Sequence, residues 1–125
     1  MSGVTLDAGA LIALDRGDRR VIVLLARARE TGATVTIPAT ALAQAIRRPR
    51  TQARLARLAR QPTTDLVALD GPDATSVGIL LAASRTSDIV DAHVVVCGRR
   101  SKQPILTSDP GDLRRLDPAA ALVTL

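Results

Sequence analysis

The sequence predicts an α/β fold with a mostly parallel sheet of four or five strands. Short apolar or β-branched runs alternate along the chain with longer segments whose apolar residues recur at helical spacing. Strands that alternate with helices are typical of a sandwich in which helices cover a parallel sheet. The length of 125 residues predicts a single domain, residues 1–125, and the hydrophobic content of 46% excludes a disordered chain.

Turn and cap residues divide the chain into these elements. Asp18 is suited to cap a helix, Gly32 to end it, and Pro38 to stop the β-branched run before it. The predicted strands cover residues 4–6, 34–37, 66–69, 105–107 and, at the edge of the sheet, 122–125. The predicted helices cover residues 8–15, Asp18 to about residue 31, 39–47, 50–61, 73–85, 88–99 and 110–116.

Aspartates lie at three places where an apolar run meets the start of a predicted helix. Asp7 follows the first strand, and the other two clusters are Asp88 with Asp91 and Asp109 with Asp112. Sites in parallel sheets form at the carboxyl ends of strands, where Asp7 and Asp109 fall. The i, i+3 spacing of each pair puts both carboxylates on one helix face. Converging carboxylates would supply oxygen ligands to a hard cation such as Mg²⁺ or Mn²⁺.

Each aspartate also has a purely structural interpretation. Asp7, Asp88 and Asp109 have the position of helix N-caps, and Pro110 suits the first turn of a helix. Asp91 and Asp112 would then complement the helix dipole. The aspartates interpreted as caps, turn residues or solvated charges are Asp15, Asp18, Asp65, Asp70, Asp73 and Asp117.

Charge and composition indicate an anionic partner for a protein of the cytoplasm. The formal net charge is +5, and arginine supplies nearly all of the positive charge because Lys102 is the only lysine. The sequence has no aromatic residue, so a nucleic acid would be held through its phosphates and by arginine rather than by base stacking on aromatic rings. No apolar run is long enough to span a membrane, and Cys97, the single cysteine, is interpreted as a core residue.

Four segments, in order, carry a resemblance that covers essentially the whole chain. They are residues 6–14 (Leu-Asp-Ala-Gly-Ala-Leu-Ile-Ala-Leu), 37–44 (Ile-Pro-Ala-Thr-Ala-Leu-Ala-Gln), 87–95 (Ser-Asp-Ile-Val-Asp-Ala-His-Val-Val) and 106–113 (Leu-Thr-Ser-Asp-Pro-Gly-Asp-Leu). The sequence thereby resembles the PIN-domain ribonucleases, particularly the VapC-type toxins of VapBC toxin–antitoxin pairs. The resemblance implies a PIN-like α/β/α sandwich, RNA cleavage with Mg²⁺ or Mn²⁺, a VapB-type antitoxin partner and a homodimer.

The resemblance also implies roles for individual residues. Asp7 would be the first acid, Asp91 the third and Asp109 the fourth, with Asp88 auxiliary and Asp112 an additional acid. Two positions depart from the family: Gln44 stands where the second acid is usually glutamate, and Gly9 stands where serine or threonine is frequent. An amide oxygen at Gln44 is neutral, so we expect weaker metal binding and slower cleavage.

The remaining candidate residues have two interpretations each. Thr107 and Ser108 would orient the carboxylates of the site or simply cap a strand end. The arginines interpreted as a solvated face, or as a contact surface for RNA or the antitoxin, are Arg47, Arg50, Arg54 and Arg57. His93 is interpreted as a helix histidine with satisfied hydrogen bonds.

A binding module without strong catalysis is the alternative function. An aspartyl-phosphate enzyme is disfavoured because Gly9 replaces the second aspartate that a dehalogenase-like phosphatase needs.

Overall fold

A computed structural model describes residues 3–125, in which five parallel strands form one sheet in the order β3-β2-β1-β4-β5. The strands are β1 (Gly3–Leu6), β2 (Thr34–Pro38), β3 (Thr64–Val67), β4 (Ile105–Thr107) and β5 (Leu122–Thr124). The helices are α1 (Ala8–Asp15), α2 (Arg19–Thr31), α3 (Ala39–Ala45), α4 (Ala53–Ala59), α5 (Gly71–Ser84), α6 (Ile89–Ser101) and α7 (Pro110–Leu116). The predicted α/β class and parallel sheet are confirmed.

The direction of the connections changes on either side of β1. The chain moves outward from β1 through β2 to the edge strand β3, then returns to the other side of β1 to form β4 and β5. Parallel crossovers are right-handed, so the two directions place their helices on opposite faces of the sheet. α1 contacts α2 and α4, whereas α6 contacts α5 and α7 and packs on β1, β2 and β4. The crevice between the carboxyl ends of β1 and β4 is therefore the switch point of the topology.

Buried aliphatic side chains hold the sheet to both helical layers. β1 is buried along its whole length, and the largest buried side chains come from it and from its neighbours. They include Leu6, Leu11, Ile37, Leu106, Leu113 and Val94. Gly98 lets α6 approach the sheet closely, because a Cβ at this position would lie 3.0 Å from Ile105 Cγ1. No helix within residues 3–125 has the length and apolar character to cross a membrane.

Several predicted boundaries were wrong by one to three residues. β3 lies at Thr64–Val67 rather than at residues 66–69, and β5 ends at Thr124. α3 ends at Ala45, α5 begins at Gly71, and α6 covers Ile89–Ser101. The helix predicted over residues 50–61 is in fact a 3₁₀ turn, Pro49–Thr51, followed by the separate helix α4.

The buried side chain of Gln52 explains why that helix is broken. Its Oε1 accepts hydrogen bonds from the backbone N–H groups of Arg47 and Arg48, both at 2.9 Å. Its Nε2 donates to the Ala45 carbonyl at 2.9 Å and to Asp15 Oδ2 at 3.3 Å. One amide thus satisfies the backbone at the end of α3 and ties this turn to the end of α1.

Candidate functional site

The candidate site lies at the crevice between β1 and β4. The two strands pair in register, with Leu6 opposite Leu106, and the Asp7 N–H donates to the Leu106 carbonyl at 3.2 Å. Asp7 therefore leaves β1 beside the last residues of β4, and Asp109 follows β4 by two residues. The strand topology itself brings the first and fourth predicted acids to one edge of the sheet.

Asp7 is buried at the start of α1. Its Oδ1 accepts a hydrogen bond from the Ala10 N–H at 2.7 Å, so it is also the N-cap of this helix. Burial raises the pKa of the Asp7 carboxyl, and the negative charge of Asp109 raises it further. The Thr107 hydroxyl and the helix N–H groups partly offset this rise in pKa. The cap interpretation is thus correct for Asp7, and its role in a metal site stays a prediction.

The N-terminus of α6 supplies the next two carboxylates. Asp88 caps the helix by accepting from the Asp91 N–H at 3.0 Å, and Asp91 lies one turn further on with its side chain half-buried. The pKa of Asp91 is raised to about 7, first by burial and then by four neighbouring carboxylates. In order of decreasing effect, these neighbours are Asp88, Asp7, Asp112 and Asp109.

Asp109 and Asp112 complete the cluster at the start of α7. Asp109 has the predicted N-cap position of α7, but its side chain makes no capping hydrogen bond. Its backbone N–H instead donates to Thr107 Oγ1 at 2.9 Å. Contact with the Asp109 carboxyl raises the pKa of the exposed Asp112, and Arg115, at 4.0 Å from Asp112, offsets little of this effect. Thr107 therefore contacts the Asp7 carboxyl and the Asp109 backbone, and its role in orienting the carboxylates stays a prediction.

The chemistry of this cluster suits a hard divalent cation. Four carboxylates raise the pKa of a fifth, Asp91, and the five come from the starts of three helices. Within residues 3–125, the exposed Arg115 lowers the pKa of one of them, Asp112. Such a set of oxygen ligands is what Mg²⁺ or Mn²⁺ takes. No three carboxylates of this cluster offer oxygens within 4.8 Å of one another, so the oxygens are spread out. Within the described residues, the three potential ligand atoms that are this close belong to Asp73, His93 and Cys97. Mutual repulsion is a sufficient reason for the spacing of the acidic side chains.

The two departures from the family pattern have different surroundings. Gln44 lies exposed near the end of α3, a helix that starts at the carboxyl end of β2 and packs against α1 and α6. A Cβ at Gly9 would overlap Ser108 Oγ and lie 3.4 Å from Asp7 Oδ1, so a side chain here requires the Ser108 hydroxyl to move. The Ser108 hydroxyl therefore occupies the space next to Asp7 that a residue-9 side chain would fill.

The predicted arginine surface is divided between two places. Arg54 and Arg57, both on α4, line a groove of about 500 Å³ that α4 forms with α1 and α2. The apolar wall of this groove includes Leu14, Ile22, Leu25 and Leu58. Arg47 and Arg50 are exposed in the segment before α4 and do not line the groove.

Sequence reasoning missed a second polar cluster behind the site. Asp73 was interpreted as a cap or a solvated charge, but it is buried and accepts two hydrogen bonds from Arg100, at 2.6 and 2.9 Å. His93 is fully buried, and its Nδ1 lies 2.7 Å from Thr40 Oγ1. Its Nε2 has no hydrogen-bond partner in the described part of the chain, so the interpretation of a satisfied histidine was wrong. The i, i+4 spacing of His93 and Cys97 on a helix was the available signal.

Comparison with known proteins identifies the fold. No protein-family model matches the chain, and no curated protein sequence matches it significantly. The crystal structure of VapBC2 from Rickettsia felis, bound to a DNA fragment from its promoter, matches 98% of this chain and 98% of that chain. The TM-score is 0.67 at 11% sequence identity. FitAcB from Neisseria gonorrhoeae matches with a TM-score of 0.66 at 15% identity, over 97% of this chain and 96% of that chain. The chain therefore has the PIN-like α/β/α fold that its sequence predicted.

Proposed function

We propose that this protein is a metal-dependent endoribonuclease and the toxin of a type II toxin–antitoxin pair, acting in the cytoplasm. The observation that carries the proposal is the convergence of four carboxylates on a fifth, Asp91, at the topological switch point of a PIN-like fold. Like charges gathered in a half-buried crevice destabilise a protein unless a cation neutralises them. Such clusters are therefore frequent at functional sites. The whole-chain likeness to the VapBC2 and FitAcB structures supports a toxin of this class.

Asp7, Asp91 and Asp109 would hold the ion, with Asp88 and Asp112 contributing negative charge at the rim. When bound, Mg²⁺ or Mn²⁺ would neutralise these carboxylates, polarise the scissile phosphate and help to generate the attacking hydroxide. The chain itself orients the ligands: Thr107 contacts the Asp7 carboxyl and the Asp109 backbone, and the start of α1 fixes Asp7 through Ala10. The Ser108 hydroxyl lies in the space beside Asp7.

A cognate VapB-type antitoxin is the proposed protein partner, and a homodimer is the proposed toxin assembly. The groove formed by α1, α2 and α4 has an apolar wall and carries Arg54 and Arg57 on one side. A partner helix with one apolar face and flanking acidic residues would match both features. The net charge of +5 supports the same preference for an acidic partner or for RNA.

The test is cleavage of single-stranded and structured RNA by the purified chain. We expect cleavage with Mg²⁺ or Mn²⁺, none with a chelator, and a loss of about 10²-fold or more in Asp109→Asn, because the site loses a charged ligand. Asp65→Asn is the matched control, since Asp65 is an exposed aspartate on β3 and its loss should leave the rate unchanged. Equal cleavage by Asp109→Asn and the native chain would refute the proposal.

The alternative function is a PIN-like module that binds RNA or protein but cleaves weakly or not at all. Gln44 favours it, because an exposed neutral amide stands where the resemblance expects a carboxylate. Metal-dependent RNA binding without cleavage in the same assay would select this alternative. Cleavage that depends on Asp109 would exclude it.

A further inference from the structure

We propose that Asp73, His93 and Cys97 form a second metal site, separate from the acidic cluster and selective for zinc-like ions. The ligand atoms of these three buried residues all lie within 4.8 Å of one another. They supply one carboxylate oxygen, one imidazole nitrogen and one sulfur, a mixed set that zinc takes and that Mg²⁺ does not favour. The proposal does not depend on the nuclease function.

The two sites lie on different sides of α6. Asp91 and His93 are two residues apart, which is about 200° around a helix, so their side chains point in nearly opposite directions. Asp91 faces the crevice at β1 and β4, whereas His93 faces α3 and α5. Cys97 follows His93 by one helical turn and therefore lies on the same face.

The imidazole of His93 is already arranged as a metal ligand. Its Nε2 is completely buried, has no hydrogen-bond partner among residues 3–125, and lies 3.5 Å from Asp73 Oδ2. A buried polar nitrogen without a partner is costly, and a metal ion would remove that cost. Nδ1, at 2.7 Å from Thr40 Oγ1, has the hydrogen bond that orients a ligating histidine through its other nitrogen.

Arg100 contacts two of the three proposed ligands, Asp73 and Cys97. Its Nη1 holds Asp73 Oδ1 at 2.6 Å, which leaves Oδ2 on the side of His93. A ligating carboxylate is commonly held in this way through its second oxygen. Arg100 Nη2 also donates to Oδ2 at 2.9 Å and lies 4.0 Å from Cys97 Sγ, so its charge competes with a cation for the same atoms. The Arg100 side chain is 52% exposed and can move toward solvent when an ion binds.

Binding at this site releases one proton. The sulfur species that binds a metal is the thiolate, so the Cys97 thiol must lose its proton. The S–H bond breaks as the metal–sulfur bond forms, and the proton passes to solvent. The bound ion would join α5 to α6 next to the β3–α5 connection.

Cobalt titration of the full chain tests the site, because a thiolate bound to Co²⁺ gives a charge-transfer absorption that oxygen ligands do not. We expect this band in the native protein and in Asp109→Asn, and its loss in Cys97→Ser, with circular dichroism confirming that each variant is folded. Excess Mg²⁺ should leave the band unchanged, and Zn²⁺ should remove it because zinc binds such ligands more tightly than cobalt.

Arg100→Gln provides a second test that does not require a change to any ligand. Removal of the competing charge should lower the Co²⁺ concentration at half-saturation roughly five- to tenfold. The proposal is overturned if neither the native protein nor Arg100→Gln shows the band. It is also overturned if the band persists in folded Cys97→Ser, or if Mg²⁺ displaces the cobalt.

Discussion

At the scale of single residues, the half-buried carboxyl of Asp91 is the feature that links the fold to the chemistry. Burial and four neighbouring acids raise its pKa to about 7, far above the ordinary value of 3.8. A raised pKa means that the folded protein favours the protonated carboxyl. The contribution of Asp91 to stability is complete below about pH 3.8 and is lost as the pH rises through about 7. In the metal-free protein at neutral pH, ionised Asp91 therefore opposes folding.

We predict that Asp91→Asn stabilises the metal-free protein at pH 8. After allowance for solvent screening of a half-buried group, the gain in unfolding free energy should be about 1–2 kcal/mol. The gain should shrink as the pH falls toward 4, where Asp91 is neutral in the native protein as well. Urea unfolding at pH 5, 6 and 8 with a chelator measures it, with Asp65→Asn as the control. A native protein that is more stable than Asp91→Asn at pH 8 would show that the cluster is not electrostatically strained.

Gln44→Glu tests whether position 44 belongs to the metal site. Because hard cations favour charged oxygen ligands, the substitution should tighten Mg²⁺ and Mn²⁺ binding and increase the rate of RNA cleavage. Calorimetric titration of both metals, with a parallel cleavage assay, measures the two effects, and Gln61→Glu controls for added surface charge. Unchanged metal affinity, or a slower rate of RNA cleavage in Gln44→Glu, would show that residue 44 is not a metal ligand.

At the scale of elements, the turn between α3 and α4 depends on one buried side chain. The Gln52 amide makes four hydrogen bonds to the end of α3, the following turn and Asp15. We predict that Gln52→Ala lowers the free energy of unfolding by roughly 2–3 kcal/mol, since it leaves buried backbone groups without partners. Chemical denaturation measures the loss. Gln61→Ala, at the end of α4, is the control and should stay within about 0.5 kcal/mol of the native protein.

The groove along α4 yields a prediction about the anionic partner. Arg54→Ala combined with Arg57→Ala should weaken binding of an acidic antitoxin segment or of RNA, and should reduce the dependence of affinity on salt. Arg19→Ala combined with Arg27→Ala removes equal charge from exposed positions of α2 outside this groove. Binding measured across a series of salt concentrations separates the two pairs. An equal loss of binding affinity in both double variants would show that net charge, and not the groove, determines binding.

The sequence predicted the central elements better than the peripheral ones, for physical reasons. β1, β2 and β4 are buried runs flanked by cap or proline residues, so their apolar residues indicate their position directly. β3 lies at the edge of the sheet with Leu66 exposed, and its bounds follow from pairing with β2 rather than from its apolar residues. Asp7 and Asp109 could be predicted because strand ends are local features. The approach of Asp91 depends on how α6 packs across the sheet; the aspartate pattern suggested that it joins the others, and the resemblance gave it a specific role.

The polar cluster of Asp73, His93, Cys97 and Arg100 could not be predicted from the sequence, for a physical reason. Asp73 lies in the first turn of α5, where an acidic residue is expected from the helix dipole alone. Its partners lie 20 to 27 residues further along the chain, on a helix whose apolar residues suggest nothing but core. Only the packing of α5 on α6 brings them together.

At the scale of the whole molecule, the switch point of a PIN-like fold gathers acids that we propose bind a divalent cation. The same geometry predicts both repulsion among these acids in the metal-free state and an affinity for the ion. An ion that binds only the folded state stabilises it by mass action, by about 2.7 kcal/mol at 100 times its dissociation constant. Metal binding must therefore appear in the stability of the entire chain.

Thermal unfolding with and without Mg²⁺ or Mn²⁺ is the most direct measurement of this claim. At saturating metal we predict that Tm of the native protein rises by roughly 10 °C. Asp109→Asn should show little of this rise, because it loses a charged ligand that makes no capping hydrogen bond. Asp65→Asn should retain the full rise. Identical melting curves with and without metal, or an undiminished shift in Asp109→Asn, would contradict a cation site at the β1–β4 crevice.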